Sequence, residues 1–389
     1  MPTDPLVFSL FLIFTGAAVF AAIALFAGQS LLIAYILLGC AVGPWGLALV
    51  EDPHTIASVG HVGIIFLLFL LGLNLHPQKL LRMLREAVLI TALSSLAFTL
   101  AGTGIALAFG FGARDAVLVG ACMMFSSTII GLKLLPTTAL HHRHLGEVII
   151  SVLLLQDLLA IALLVAVEAL GHEQLSMLQA AKIAVAPALL AVAAFAAARH
   201  GLLPLMQRFD TIQEYLFLAA VGWCLGVAQL GHVLGLSYEL GAFIAGVSLA
   251  THPVSTFIAE SLKPLRDFFL ILFFFSLGAG FELPRLAEVA LPALALAVVM
   301  LAMKPWLFRA LLRWESETAG LAAEAGARLG QVSEFSLLVS VLALSAGVMG
   351  ERAVYTVQAA TLLTFFASSY WIVARYPTPI AVNAQLRRD

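Results

Sequence analysis

The sequence predicts an all-α polytopic membrane protein of about 13 transmembrane helices, laid out as two inverted six-helix repeats whose broken helices 5 and 12 cross. Three observations lead there: the composition, a succession of lipid-length apolar runs, and two polar breaks at equivalent places. Hydrophobic residues make up 62% of the 389 residues and charged residues 11%, with mean hydropathy +1.05. A soluble domain sits near half apolar and a quarter charged, so the chain belongs in a bilayer. A formal net charge of −2 gives no reason to expect a nucleic-acid partner. Cys40, Cys122 and Cys224 lie inside apolar runs without paired spacing, which argues against a disulfide framework or a zinc site. No basic segment precedes the first apolar run, so a cleaved signal peptide is not expected.

Crossing the hydrocarbon takes roughly 20 apolar residues in a helix. Runs of that kind lie near 6–26, 30–50, 56–75, 87–111, 114–135, 146–170, 176–199, 212–231, 235–251, 264–281, 287–312, 320–347 and 353–374. Short loops join these 13 spans, so 1–376 reads as one transmembrane domain and 377–389 as a cytoplasmic tail. The basic residues test the count. Assigning loops alternately, one side collects Lys79, Arg82, Arg85, Arg143, Arg199, Arg208, Lys263, Arg266, Arg309, Arg313, Arg375, Arg387 and Arg388. The other side has Arg114, Lys182, Arg285 and Arg352. A miscounted span midway would scramble this bias, which places the N-terminus outside and the C-terminus in the cytoplasm. Lys133, Lys304 and Arg328 fall within spans. Lys133 is near enough to an end to snorkel, Arg328 follows Glu324 at ion-pair spacing, and Lys304 has no local partner.

A charge at mid-membrane costs about 3 kcal/mol on insertion scales, so such residues mark function by default. In VLLLQDLLAIALL (Val152 to Leu164), Asp157 is the most central carboxylate of the chain. Either it is a structural acid paired to Lys304, or it alternately holds a proton and a monovalent metal cation; the two roles are compatible. Gln156 points about 100° away on the helix. Asp157 is therefore expected to ligate the cation directly, with Gln156 flanking it. Ser126, Ser127 and Thr128 interrupt span 5 within MMFSSTIIGLKLLP, and Gly330, Gln331, Ser333 and Glu334 interrupt span 12 within ARLGQVSEFSLLVSV. Hydroxyls bonding back to their own helix would account for either break alone. Spans 5 and 12 are seven apart, however, and 13 spans divide as six, one linker and six. They therefore occupy matching places in halves of opposite direction. Paired broken helices in inverted halves are the mark of a secondary transporter with its site near the midplane.

At these residues the chain resembles the monovalent cation:proton antiporter-2 family, and within it the membrane domain of Kef-type potassium/proton antiporters. The likeness runs through GCAVGPWGLALVED, VGIIFLLFLLGLNL, FSSTIIG, LLLQDLLAI, LGLSYELGAFIAGVSLA, LKPLRDFFLILFFFSLGAGFE and GQVSEFSLLV. The Gln-Asp pair discriminates best, since relatives linked with electrogenic sodium exchange often carry two adjacent acids there. The resemblance implies a sodium/proton-antiporter-like fold in a homodimer, in a cell membrane such as the bacterial inner membrane. Spans 1–3 and 8–10 would form the dimer scaffold, spans 4–6 and 11–13 the ion-translocating core, and span 7 a linker. It carries over Asp157 as the cation- and proton-binding acid with Gln156, Ser126, Ser127 and Thr128 around it. Lys304, Glu334, Ser333 and Gln331 become charge-compensating or crossover residues. Asn74 stands where the family usually shows an acid. The Kef regulatory loop is only faintly echoed in THPVSTFIAESLKP, where Glu260 and Ser261 match. No dinucleotide-binding fingerprint follows the last span, so a cytoplasmic regulatory domain is expected to be separate or removed.

The expected function is secondary K⁺/H⁺ exchange by alternating access, with no cofactor and no enzymatic chemistry; Na⁺/H⁺ exchange on the same fold is the alternative. One carboxylate neutralises one monovalent charge, which favours one-for-one exchange. A cation channel is a further class, but the carbonyl-filter sequence TVGYG is missing. An intramembrane aspartyl protease would need a second deep aspartate, and a passive scaffold would leave Asp157 and Lys304 unexplained.

Overall fold

A computed structural model describes residues 5–27, 29, 31–50, 53–74, 77–133, 144–171, 177–236 and 238–378. Every predicted span holds helix, and the described residues contain no strand. The helices are α1 (Pro5–Phe26), α2 (Leu31–Val42), α3 (Pro53–Asn74), α4 (Pro77–Ala108), α5 (Ala113–Met123), α6 (Thr128–Lys133), α7 (His144–Gly171) and α8 (Met177–Ala197). They continue as α9 (Leu203–Arg208), α10 (Gln213–Val233), α11 (Tyr238–Leu249), α12 (Val254–Ala279), α13 (Leu286–Trp314), α14 (Ala319–Arg328), α15 (Glu334–Ser345) and α16 (Glu351–Arg375). Among the described residues, seven helices have the length and apolarity to cross a membrane, with shorter apolar helices at Leu31–Val42, Ser58–Leu70, Leu240–Leu249 and Glu334–Ser345. Span 5 is realised as α5 and α6 on either side of a break, and span 12 as α14 and α15.

Four boundaries differ from the sequence expectation; that of span 10 does so because its helix starts at Val254 and runs through Pro264, ten residues before the expected 264. Span 2 stops at Val42, where the amides of residues 46 to 50 bond back to carbonyls of residues 41 to 43 and fold the chain into turns. Span 4 begins ten residues early, because Pro77 opens a helix that absorbs the basic stretch before Ala87. Span 7 continues past Arg199 through a π-helical turn, Ala198–Leu202, into α9. The short break before span 9 is real: α10 ends at Val233 and Gly235 has a φ of +84°, which a glycine adopts without steric cost. The side chains of Asn74 and Lys133 and the tail from residue 379 lie outside the described residues.

The chain divides into two compact units, one of residues 1–14, 39–82 and 172–280, the other of 15–38, 83–171 and 281–389. In the first, α3 packs along α11 and α12. Glycines set how close these helices come. A Cβ at Gly246 would run into the Phe69 carbonyl, and one at Gly39 into the Phe275 carbonyl. Without a hydrophobic effect between helices in lipid, such close backbone approach supplies the packing that holds them.

In the second unit, α13 packs on α14 and α16, while α15 packs on α7 and α16. Helix α13 carries Pro292 and Pro305 in its interior, and the Pro305 carbonyl lies where a Cβ at Gly326 of α14 would fall. Arg328, fully buried, pairs with Glu324 one turn earlier at 2.8 Å and donates to the Pro377 carbonyl. An arginine at this depth is tolerated because its charge is paired and the Pro377 carbonyl takes a further donor.

Candidate functional site

The site lies wholly within the second unit and is built around the two breaks. A broken helix frees carbonyls at one stump and N–H groups at the next, and none of these finds water in hydrocarbon. The structure satisfies them with side chains one by one. On the span 5 side, the Cys122 carbonyl accepts from Ser336 Oγ at 2.5 Å and the Met124 carbonyl from Gln156 Nε2 at 3.1 Å. The Phe125 carbonyl accepts from Lys304 Nζ at 2.5 Å and the Ser127 carbonyl from Gln331 Nε2 at 3.3 Å. On the span 12 side, Gln331 Nε2 also reaches the Arg328 carbonyl, Ser126 Oγ donates to the Leu329 carbonyl at 2.8 Å, and Lys304 Nζ donates to the Gln331 carbonyl at 3.1 Å. Each break thus supplies groups that complete the other.

The restarting helices are capped alike. Ser127 Oγ accepts from the Ile130 amide and Ser333 Oγ from the Phe335 amide, the usual N-cap use of serine. The free amide of Ser126 donates to Gln156 Oε1 on α7, and that of Val332 to Thr364 Oγ1 on α16. Ser127 and Ser333 are 206 residues apart, as are Thr128 and Glu334, and Phe98 and Lys304. Gln156 and Thr364, 208 residues apart, do the same job in opposite halves. Their neighbours differ: Asp157 follows Gln156, whereas Phe365 follows Thr364. The carboxylate has no counterpart in the second half.

Asp157 is 3% exposed. Thr128 Oγ1, at the start of α6, donates toward its two carboxylate oxygens at 3.3 and 3.4 Å. Among the described residues this hydroxyl is its hydrogen-bond partner, and Glu334 lies within electrostatic reach. An ionised carboxylate offers about four acceptor positions, so most of its capacity is unspent. The surrounding groups are committed. Both ends of the Gln156 amide are taken by the span 5 break, and the Gln331 oxygen accepts from Ser368 Oγ at 3.0 Å.

Lys304 is fully buried and caps the face of Phe98 at 5.2 Å, besides its two carbonyls and Ser126 Oγ at 3.4 Å. No ion pair joins it to Asp157 among the described residues. Ser333 Oγ lies 3.4 Å from Glu334 Oε2. Of the sequence-predicted residues, the structure brings Gln156, Asp157, Ser126, Ser127, Thr128, Gln331 and Lys304 into one network. Sequence reasoning missed Thr364, Ser368 and Ser336, whose hydroxyls read as ordinary helix positions.

Gln156→Leu should strip the break of two partners and leave the Ser126 amide and Met124 carbonyl buried and unpaired. At about 1–3 kcal/mol for each stranded group, the variant is expected to lose about 2–6 kcal/mol, read as a lower midpoint of thermal unfolding in detergent. An unchanged midpoint would show that Gln156 does not support the break.

The comparisons with known proteins bear on this geometry. The chain is 25% identical over 366 residues to the iron transporter MagA of Paramagnetospirillum magneticum, covering 93% of this chain and 84% of that one. It is 32% identical over 330 residues to K(+) efflux antiporter 4 of Arabidopsis thaliana, covering 80% and 54%. It is 31% identical over 349 residues to the glutathione-regulated potassium-efflux system protein KefC of Salmonella heidelberg, covering 87% and 55%. The chain thus spans about half the length of these potassium antiporters. Its fold matches the sodium proton antiporter MjNhaP1 of Methanocaldococcus jannaschii, with a TM-score of 0.64, 17% identity, and 93% and 96% of the two chains covered. The family profile described as sodium/hydrogen exchanger, transmembrane, matches residues 10–374, from the first helix to the last and through both breaks. By that match the chain belongs to the sodium/hydrogen exchanger, transmembrane family.

Proposed function

We propose that the protein is a secondary antiporter exchanging a monovalent cation, K⁺, for H⁺ by alternating access, with Asp157 as the one acid that both occupy in turn. The observation that carries this reading is a buried carboxylate with spare acceptor capacity, set among polar groups already paired. Such a carboxylate is costly in a bilayer unless a cation or a proton neutralises it. That cost couples the two fluxes. Deprotonated on one side, Asp157 takes the cation with Thr128 alongside; with the carboxylate neutralised the core moves, releases the cation, is reprotonated and returns. Gln156 and Gln331 hold the breaks open while Lys304 ties them together.

Oxygen ligands of this kind suit a hard ion, whereas a transition metal favours imidazole or thiolate. That donor set favours an alkali cation over the iron named for MagA. Potassium is supported by the Gln-Asp pair and by the names of the relatives that match at 31–32% identity. The sodium reading draws on the family name and on the neighbouring fold. We extend the proposal to a homodimer in a cell membrane, N-terminus outside, with spans 1–3 and 8–10 as scaffold and spans 4–6 and 11–13 as the moving core.

The test is dequenching of a pH dye in proteoliposomes under an imposed proton gradient, on addition of K⁺, Rb⁺, Na⁺ or Li⁺. Response to K⁺ and Rb⁺ is expected; response confined to Na⁺ and Li⁺ would assign the sodium reading. Because proton and cation compete for one acid, the apparent cation constant should rise as pH falls through the range where Asp157 binds its proton, approaching about tenfold per pH unit. A constant indifferent to pH across that range would rule out sharing.

A further inference from the structure

A cavity of about 470 Å³ opens in the first unit where α8 passes into the π-helical turn Ala198–Leu202. Its polar lining is Arg199, His200, Ser248 and Thr251, and its apolar lining includes Phe195 and Leu203. Such π turns widen the helix and recur at functional positions. The ring of His200 is held by its Nδ1 on the Ala196 carbonyl at 2.9 Å. Ser248 is fixed between the Ala245 carbonyl and the Trp223 indole. Two other basic residues of this unit are balanced, Lys263 by Glu260 and Arg266 by Asp267, while Arg208 shares with Arg199 the lack of an acidic partner among the described residues. Arg199 is exposed and has no acidic partner among the described residues.

The approach to the cavity is apolar. Val185, Leu189, Val192 and Ala196 are exposed at steps of three and four, which places them on one face of α8, and Arg199 continues the series one step on. An exposed apolar stripe ending in an uncompensated arginine is complementary to a molecule with a hydrocarbon tail and an anionic head. A soluble phosphate would use the arginine but not the stripe.

We propose that this cavity binds the phosphate of an anionic phospholipid, with Arg199 as its principal contact, Thr251 as a hydroxyl partner and the acyl chains along the α8 stripe. Guanidinium suits a phosphate because its donors form a planar fork. Arg208 has the same charge and also lies in this unit, but it does not line the cavity, so it serves as the internal control.

The experiment is native mass spectrometry of the full chain released from detergent, titrated with dioctanoyl phosphatidylglycerol, dioctanoyl phosphatidylcholine or inorganic phosphate at fixed ionic strength. Phosphatidylglycerol is expected to be retained over phosphatidylcholine. Arg199→Gln should weaken that retention about tenfold or more, the size of one charge-assisted contact. Arg208→Gln should leave it unchanged, and Arg199→Lys should keep part of it. Equal retention of the two lipids, or equal loss in both glutamine variants, would overturn a specific site in favour of diffuse attraction. Retention of inorganic phosphate to the same degree would assign the cavity to a soluble phosphate and overturn the lipid. Loss of dimers in Arg199→Gln without a change in lipid would assign the face to a second copy of the chain. Because Arg199 is exposed and unpaired, the variants are expected to fold, which an unchanged unfolding midpoint verifies.

Discussion

Asp157→Asn is expected to abolish coupled exchange in proteoliposomes while leaving the protein folded and at least as stable as the parent. The two halves of this expectation come from one observation. The carboxylate is buried with one hydroxyl beside it, so its charge is a burden on the fold that an amide does not impose. Asn still accepts the hydrogen bond from Thr128, and the unfolding midpoint should hold or rise. Transport fails because an amide neither binds a proton nor offsets the charge of a cation. Without that offset the loaded core carries a bare charge across the barrier, at about 3 kcal/mol or more, which is a rate loss on the order of 100-fold. Asp157→Glu keeps the charge and should retain slower exchange. If Asp157 were instead a structural acid paired across helices, Asp157→Asn would lower the midpoint and spare the activity. The pair of measurements therefore separates the two roles, as activity alone would not.

The helix layout was legible because lipid imposes length and apolarity on each span. The breaks were legible for a related reason. Ser126, Ser127 and Thr128, and Gln331, Ser333 and Glu334, are polar side chains set within apolar runs. The Glu324–Arg328 pair follows from its spacing of four, which the ion pair bears out. What closes the breaks was not legible. Lys304 looked like an unmatched charge awaiting a carboxylate, yet its donors go to the Phe125 and Gln331 carbonyls, and backbone carbonyls leave no trace in a sequence. Gln156 looked like a flanking ligand, yet its amide completes the backbone of span 5. Thr364 answers it in the second half, and no local pattern separates that threonine from the many that bond their own helix. The π turn after α8 was missed because Arg199 and His200 resemble the end of a span, while the apolar residues after them carry the helix on.

Lys304→Met should be among the most destabilising single changes in the second unit. The ammonium ties the Phe125 carbonyl of one break to the Gln331 carbonyl of the other, and it rests on the face of Phe98. Methionine fills similar volume without donors, so two buried carbonyls are stranded, at about 2–6 kcal/mol together. Lys304→Arg keeps the charge but adds bulk to a fully buried position, with about 1–3 kcal/mol of overpacking. A double-mutant cycle with Asp157→Asn then asks whom the lysine serves. If its work is to hold carbonyls, the two effects on stability add to within about 0.5 kcal/mol. If Lys304 is chiefly the counter-ion of Asp157, removing the acid relieves part of the lysine's loss, and the cycle fails to close by more than that. Additivity is expected, since the amine's described hydrogen bonds go to two carbonyls and a serine hydroxyl. The same logic reaches the stoichiometry. A lysine that keeps its charge throughout the cycle adds equally to the proton-loaded and cation-loaded cores. Whatever exchange survives in Lys304→Met should therefore stay electroneutral, unaltered when valinomycin and K⁺ clamp the membrane potential. A potential-dependent rate appearing only in the variant would show that Lys304 changes its charge during turnover.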